Sequence, residues 1–231
     1  MTGESVGAGE VAGQTGPAKL RILLVDDHPI VRQGLRKLIE SDPQLTVCAE
    51  AEGVRDAREA IRHHRPDAVV VDLFLKDGDG IELVKEVRSH HPGLPLLVLS
   101  MHEESVYAER LLAAGANGYI MKQAASELFI EALLTVLSGR RYVSDTIAAK
   151  LQRKAASGDA GNLRGAVESL SNRELQILER IGNGRSSKQI AESLNLSIKT
   201  IEAHRQRIKR KLGLKSGAQL VNFAATWVAS H

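Results

Sequence analysis

Val69-Val70-Val71-Asp72-Leu73-Phe74-Leu75-Lys76-Asp77-Gly78-Asp79-Gly80 passes from a short apolar run rich in valine into one aspartate, then into a turn rich in glycine and aspartate. An apolar run of this length, bounded by turn residues, reads as a strand buried on both faces. A strand that stops at a carboxylate presents it on the rim of a sheet, where ligands of open α/β sheets bind. Asp72 is therefore the first candidate for a working residue. Taken alone, an aspartate after a strand is more commonly a turn former.

The flanking sequence repeats the pattern. Residues 20–25 form an apolar strand ending in Asp26-Asp27, residues 45–49 a second, residues 95–99 one ending at Ser100, and residues 118–121 one ending at Lys122. Between them apolar residues recur at helical spacing, as in Val31, Leu35, Leu38 and Ile39, or Val54, Ala57, Ala60 and Ile61. Further helices are expected over 81–87, 105–114 and 128–137. Five βα units with strands apolar on both sides predict a parallel sheet covered by helices on both faces. Right-handed crossovers then bring all carboxyl strand ends to one rim. Asp26-Asp27, Asp72, Ser100 and Lys122 converge there.

That convergence allows specific chemistry. Three carboxylates held together need a cation. Oxygen-only ligands favour Mg²⁺, which keeps several waters and takes one or two carboxylates. A lysine opposite neutralises a second anion. Mg²⁺, lysine and a hydroxyl around one nucleophilic carboxylate make a phosphoryl-transfer site.

Composition is that of an ordinary globular chain, 43% hydrophobic and 26% charged, with one cysteine, Cys48, and hence no intrachain disulfide. No apolar run approaches a membrane helix in length, and a cytoplasmic location is expected. Residues 1–18 read as a disordered tail. Charge is asymmetric: residues 168–231 hold 11 basic and 5 acidic side chains, the rest 20 and 23. Only the C-terminal part is suited to a polyanion. His63-His64 and His90-His91 lie near expected helix ends and read as solvated rather than metal-binding pairs.

Residues 19–140 resemble the receiver domain of two-component response regulators. Val25-Asp26-Asp27-His28-Pro29, Asp72 with Gly80 eight residues on, Ser100, and Gly115-Ala116-Asn117-Gly118-Tyr119-Ile120-Met121-Lys122 carry the resemblance. It implies a flavodoxin-like, doubly wound five-stranded sheet of order 2-1-3-4-5. It implies that Asp72 accepts a phosphoryl group from a sensor histidine kinase. Asp27 would hold Mg²⁺ directly and Asp26 through water, with Asp72 and the backbone carbonyl of Phe74 as further ligands. Ser100 would bond the phosphoryl group, Lys122 would pair with it, and Tyr119 would turn inward as Ser100 moves. Two positions depart from the family. Lys76 replaces a usual proline, so a more mobile loop is expected, and Gln123 stands where proline often follows the lysine. Phe74 and His102 flank the site, and Phe74 is expected to slow dephosphorylation.

Residues 141–167 lose strong patterning and read as a linker containing a short helix. Beyond it, Ser171 and Glu174 have capping-box spacing before an apolar helical run. Ser187 and Ser197 are cap candidates for two further helices joined by the turn Asn195-Leu196-Ser197, a helix-turn-helix arrangement. Ser216 is expected to cap a fourth. In the third helix Ile201, Ile208 and Leu212 form a core stripe. Lys199, Ala203, Gln206 and Arg210 lie opposite, with Glu202 and Arg207 beside them, a face suited to a major groove.

Residues 168–231 resemble the LuxR-type helix-turn-helix domain, a small four-helix all-α unit. Leu170-Ser171-Asn172-Arg173-Glu174, Gly184, Lys188-Gln189-Ile190-Ala191, Leu194, Ser197, Thr200-Ile201-Glu202-Ala203-His204-Arg205 and Lys211-Leu212-Gly213 carry it. The resemblance implies that Glu202, Ala203 and Gln206 face base edges. Arg205, Lys209, Arg210, Lys188 and Thr200 would meet phosphates of double-stranded DNA. Together the two halves resemble a NarL/FixJ-type response regulator, a homodimer when phosphorylated, reading an inverted repeat. In that family the unphosphorylated receiver often masks the recognition helix. The face of the last helix around Trp227 is core or dimer seam. Two other readings compete. A Mg²⁺-dependent phosphatase would want a proton donor two residues after Asp72, where Phe74 stands. A small-ligand-gated LuxR-type regulator would want a ligand domain in place of the Asp-rich half.

Overall fold

The computed structural model describes residues 18–101, 104–124, 126–145, 147–149, 167 and 169–230. The expected tail, but for Ala18, lies outside them, as do His102 and most of the linker. The N-terminal half runs β1 (Leu20–Val25), α1 (Pro29–Glu40), β2 (Leu45–Ala51), α2 (Val54–His64), β3 (Ala68–Asp72), β4 (Phe74–Leu75), β5 (Gly78–Asp79), α3 (Gly80–His90), β6 (Leu96–Ser100), α4 (Glu104–Ala114), β7 (Gly118–Met121) and α5 (Ser126–Leu137). The C-terminal half is α6 (Asn172–Gly182), α7 (Ser187–Ser193), α8 (Ile198–Lys211) and α9 (Gly217–Ala229).

The long strands form one parallel sheet of order β2-β1-β3-β6-β7, which is 2-1-3-4-5 once the two-residue strands β4 and β5 are set aside. β3 is central, with Val71 opposite Val25 on one side and Val98 on the other. Its alternation splits the core. Leu23, Val25, Val69, Val71, Leu96 and Val98 face a layer holding α2, α3 and α4. Ile22, Leu24, Ala68, Val70, Leu97 and Leu99 face a layer with Ile39 of α1 and Phe129, Leu133 and Val136 of α5. Both faces are therefore covered, which is why the strands read as unbroken apolar runs. Each buried valine or leucine contributes about 1.5–3 kcal/mol against exposure.

Three local features differ from the sequence reading. The turn after Asp72 is an antiparallel hairpin, Phe74 opposite Asp79 and Leu75 opposite Gly78. Asp77 at its tip accepts from the backbone N–H groups of Val54 (2.8 Å) and Arg55 (3.3 Å), pinning the hairpin to the start of α2. Lys76 sits in this turn, next to the anchoring Asp77. Gly80 closes the hairpin where a Cβ would lie 2.6 Å from the Asp72 carbonyl oxygen. Tyr142, placed in the linker by patterning, makes a parallel bridge to Gly118 along the outer side of β7. Asp145 and residues 147–149 are helical, and Ile147 is buried against the core.

In the C-terminal half Ser171 and Glu174 form the expected capping box. α7 is capped by Ser186 rather than Ser187, because Gln189 lies three residues after Ser186 and completes a second box. Ser197 caps α8, and Ser216 with Gln219 caps α9. α6 and α9 pack so closely that a Cβ on Gly182 would collide with the backbone of Ala224. Lys211, in the last turn of α8, donates to Glu174 at 2.6 Å and so ties α8 to the cap of α6. Burial pushes the Glu174 carboxyl up, but the Lys211 hydrogen bond and charge outweigh it, and the group sits below its usual range.

A depressed folded pKa stabilises above the unfolded value and is lost as pH falls through the folded one. Glu174→Gln should thus cost the helical half about 1 kcal/mol near neutrality. Urea unfolding of the two proteins should converge as the solution is acidified below about pH 4. A gap that stays constant with pH would assign no role to the charge.

Candidate functional site

The rim at the carboxyl ends of the strands gathers Asp26 and Asp27 after β1, Asp72 at the end of β3, Ser100 at the end of β6 and Lys122 after β7. Asp26, Asp27, Asp72 and Ser100 are buried, and so is the side chain of Lys122, 7% exposed. The Lys122 ammonium donates to Asp26 Oδ2 at 2.6 Å and to Asp72 Oδ2 at 2.8 Å. Its backbone N–H donates to the Ser100 carbonyl at 2.7 Å. Burial alone would push Lys122 down, but the Asp72 and Asp26 carboxylates reverse this and hold it charged. Burial pushes the Asp72 carboxyl up, and the nearby Lys122 charge pulls it only part of the way back.

Asp72 Oδ1 accepts the backbone N–H of Phe74 at 3.3 Å, a weak hold that leaves this oxygen the freer of the two. Asp27 Oδ1 is buried with no hydrogen bond. His28 Nδ1 approaches it to 2.7 Å without hydrogen-bond geometry. Ligand atoms of Asp26, Asp27, His28 and Asp72 lie within 4.8 Å of one another. A buried carboxylate oxygen without a donor, inside a cluster of oxygens, fits a hard divalent cation. The Nδ1 of His28 lies beside these oxygens, a proximity that the motif alone does not mark.

Two further side chains border the site, Arg32, which patterning did not single out, and Lys76. Arg32 of α1 is buried and donates to the Asp26 carbonyl (2.6 Å), Glu50 (3.1 Å) and Glu52 (2.6 Å), fixing the backbone of the paired aspartates to the end of β2. Lys76 Nζ lies 3.4 Å from the Asp27 carbonyl and 3.8 Å from its carboxylate. Tyr119 is fully inward, 1% exposed. The Phe74 ring packs edge-on to Tyr107 of α4, centroids 5.5 Å apart.

The second site is the exposed face of α8. Lys199, Glu202, Ala203, Gln206, Arg207 and Arg210 are solvent-facing, Lys188 on α7 is exposed, and Thr200, Arg205 and Lys209 are half-buried. Ile201 and Ile208 are buried beneath. Thr200 and Ser197 share a hydroxyl contact at 2.8 Å. Glu202 accepts from Ser187 at 2.5 Å and lies 3.7 Å from Arg205, so its charge is partly answered within the unit. The N-terminal half contacts α6, not this face. Asn172 donates to Asp79, Arg110 to the Leu170 carbonyl, and the Tyr107 hydroxyl lies 3.5 Å from Glu179. In this arrangement the charged face of α8 is not masked.

Residues 22–134 match the response regulator receiver domain, and residues 168–224 match the luxR family of bacterial regulatory proteins. The oxygen regulatory protein NreC of Staphylococcus aureus is 34% identical over 209 residues, covering 89% of this chain and 96% of that protein. A LuxR-family two-component response regulator from Aurantimonas sp. SI85-9A1 superposes with a TM-score of 0.56 at 38% identity, over 61% of this chain and 100% of that one. RcsB from Salmonella enterica serovar Typhimurium, bound to promoter rprA in the presence of phosphomimetic BeF3-, gives a TM-score of 0.57 at 28% identity, over 90% of this chain and 98% of that one.

Arg32→Met should destabilise the N-terminal half by about 2–3 kcal/mol, because it strips hydrogen bonds from a buried carbonyl and two carboxylates. Arg32→Lys should recover only part, having no planar fork. Chemical denaturation reads both, and an unshifted Arg32→Met midpoint would remove the clamp.

Proposed function

The chain belongs to the DNA-binding response regulators that join a receiver to a LuxR-type helix-turn-helix domain, and we propose that Asp72 is its phosphoacceptor. The observation that carries this reading is the ammonium of Lys122 held between Asp26 and Asp72 on a rim where Asp27 keeps a buried oxygen without a donor. An Asp72 oxygen attacks the phosphorus of a phosphohistidine on a sensor kinase. The P–O bond forms, the P–N bond breaks, and the leaving imidazole takes up a proton. Asp26, Asp27, Asp72 and the Phe74 carbonyl are the residues proposed to hold Mg²⁺, which would supply neutralisation of phosphoryl oxygens. Lys122 stays charged and pairs with the transferred group, and the Ser100 hydroxyl bonds one of its oxygens.

The new group brings roughly 1.5–2 negative charges, by analogy with other phosphorylated residues. It draws Ser100 and Lys122 toward it and biases α4, β7 and the inward Tyr119. The divisions proposed are a tail over 1–18, a receiver over 19–140, a linker over 141–167 and a DNA-binding unit over 168–231. The output is a homodimer that sets two α8 helices on an inverted repeat about 34 Å apart. Glu202, Ala203 and Gln206 meet base edges. Lys188, Lys199, Thr200, Arg205, Lys209 and Arg210 serve phosphates or flank them. The chain acts as a regulator rather than a turnover enzyme, since Phe74 has no proton to give a leaving group. No helix among the described residues is long and apolar enough to cross a membrane, and a cytoplasmic site of action is proposed.

DNA selection with acetyl phosphate and Mg²⁺ tests the reading. Wild type should gain affinity for an inverted repeat and Asp72→Ala should not; equal affinity for the same DNA defeats it. Arg210→Ala should weaken all sequences alike and reduce the salt slope by about one. Gln206→Ala should cost about 1–3 kcal/mol and relax the preference at one base pair. Competition binding at two salt concentrations separates those two outcomes.

A further inference from the structure

The acidic rim carries three carboxylates, and its cations are not shared evenly. Lys122 is committed to Asp26 and Asp72 at 2.6 and 2.8 Å. Asp27 has no comparable ammonium among the described residues, although His28 Nδ1 lies 2.7 Å from its Oδ1. Its Oδ1 lacks a hydrogen bond, and the ammonium nearest its Oδ2 is that of Lys76, at 3.8 Å. The same ammonium reaches the Asp27 carbonyl at 3.4 Å.

The position of Lys76 is not accidental to the hairpin. The Lys76-Asp77 turn is fixed by the Asp77 carboxylate on the first turn of α2, which approaches so near that a Cβ at Gly53 would displace it. Asp79, at the other end of the hairpin, caps α3 through the Ile81 N–H and accepts from Asn172. The backbone of the tether is therefore held, while the Lys76 side chain remains 63% exposed and able to leave. A proline at this place would bring neither charge nor reach.

We infer that Lys76 is a tethered counter-ion for the Asp27 carboxylate that competes with a divalent cation and sets the cation affinity of the rim. The inference rests on the proposed reading of Asp26, Asp27 and Asp72 as the cation site. With cation absent, Lys76 offsets the repulsion among the three carboxylates. With cation bound, its ammonium swings into solvent. An exposed pair of this kind shifts an equilibrium by no more than about five-fold, and salt screens it.

The test is a Mg²⁺ titration of the full chain, followed by backbone amide NMR shifts around residues 26–28, in wild type, Lys76→Gln, Lys76→Arg and Asp27→Asn. Lys76→Gln should bind Mg²⁺ up to about five-fold more tightly than wild type at low salt, with the gap closing at high salt. Lys76→Arg should match wild type, and Asp27→Asn should lose binding. If Asp27→Asn loses binding while Lys76→Gln binds no more tightly than wild type, the counter-ion role is overturned and the cation site stands. A Lys76→Arg that tightens like Lys76→Gln also overturns it, because charge is then not the agent. If Asp27→Asn binds as wild type does, the cation-site reading falls and the inference falls with it. The amide spectra themselves report that each variant is folded.

Discussion

The ammonium of Lys122 between Asp26 and Asp72 is the interaction on which the N-terminal half depends. Three carboxylates taken out of water repel one another and lose their hydration. One buried lysine at 2.6 and 2.8 Å answers two of them. The sheet order follows the same need. β1 and β3 must be neighbours so that Asp26 and Asp72 meet, and β7 must end on the same rim to deliver Lys122. The parallel sheet with helices on both faces meets these conditions at once, and Arg32 keeps the paired aspartates from drifting.

In the C-terminal half capping does comparable work. Three of its four helices begin with reciprocal boxes at Ser171, Ser186 and Ser216. Short helices are marginal alone, and caps with packing make them stand. Lys211 joins the box of α6 to the last turn of α8, so the angle of the recognition helix is tied to the helix that meets the N-terminal half. The charged face of α8 remains open because docking uses α6 and α4 instead.

Much of this was legible in the residues. Strands and helices followed period and punctuation, since a two-sided core leaves unbroken apolar runs and an amphipathic helix leaves a stripe. The gathering of Asp26, Asp27, Asp72, Ser100 and Lys122 followed from strand ends and crossover handedness. The β4–β5 hairpin did not, because two-residue strands hold too few positions for alternation, and Gly78 and Asp79 are poor strand formers. The choice of Ser186 over Ser187 was readable from Gln189 three residues on. Arg32, the reach of Lys76 and the edge-on pair of Phe74 and Tyr107 depend on distances between elements, and no local pattern marks them. Arg88 is of the same kind: it donates to the Gly115 carbonyl and to Asn117, holding the turn before β7.

Tyr142 has a consequence beyond its bridge. An edge strand presents a row of idle N–H and C=O groups on which another chain can grow. At β7 the N–H of Tyr119 is taken by the Tyr142 carbonyl at 3.1 Å, and the Asn117 carbonyl by the Tyr142 N–H at 2.9 Å. The sheet is closed at that border by the chain's own return, so strand-by-strand growth from this side would first have to peel the segment around Tyr142 away.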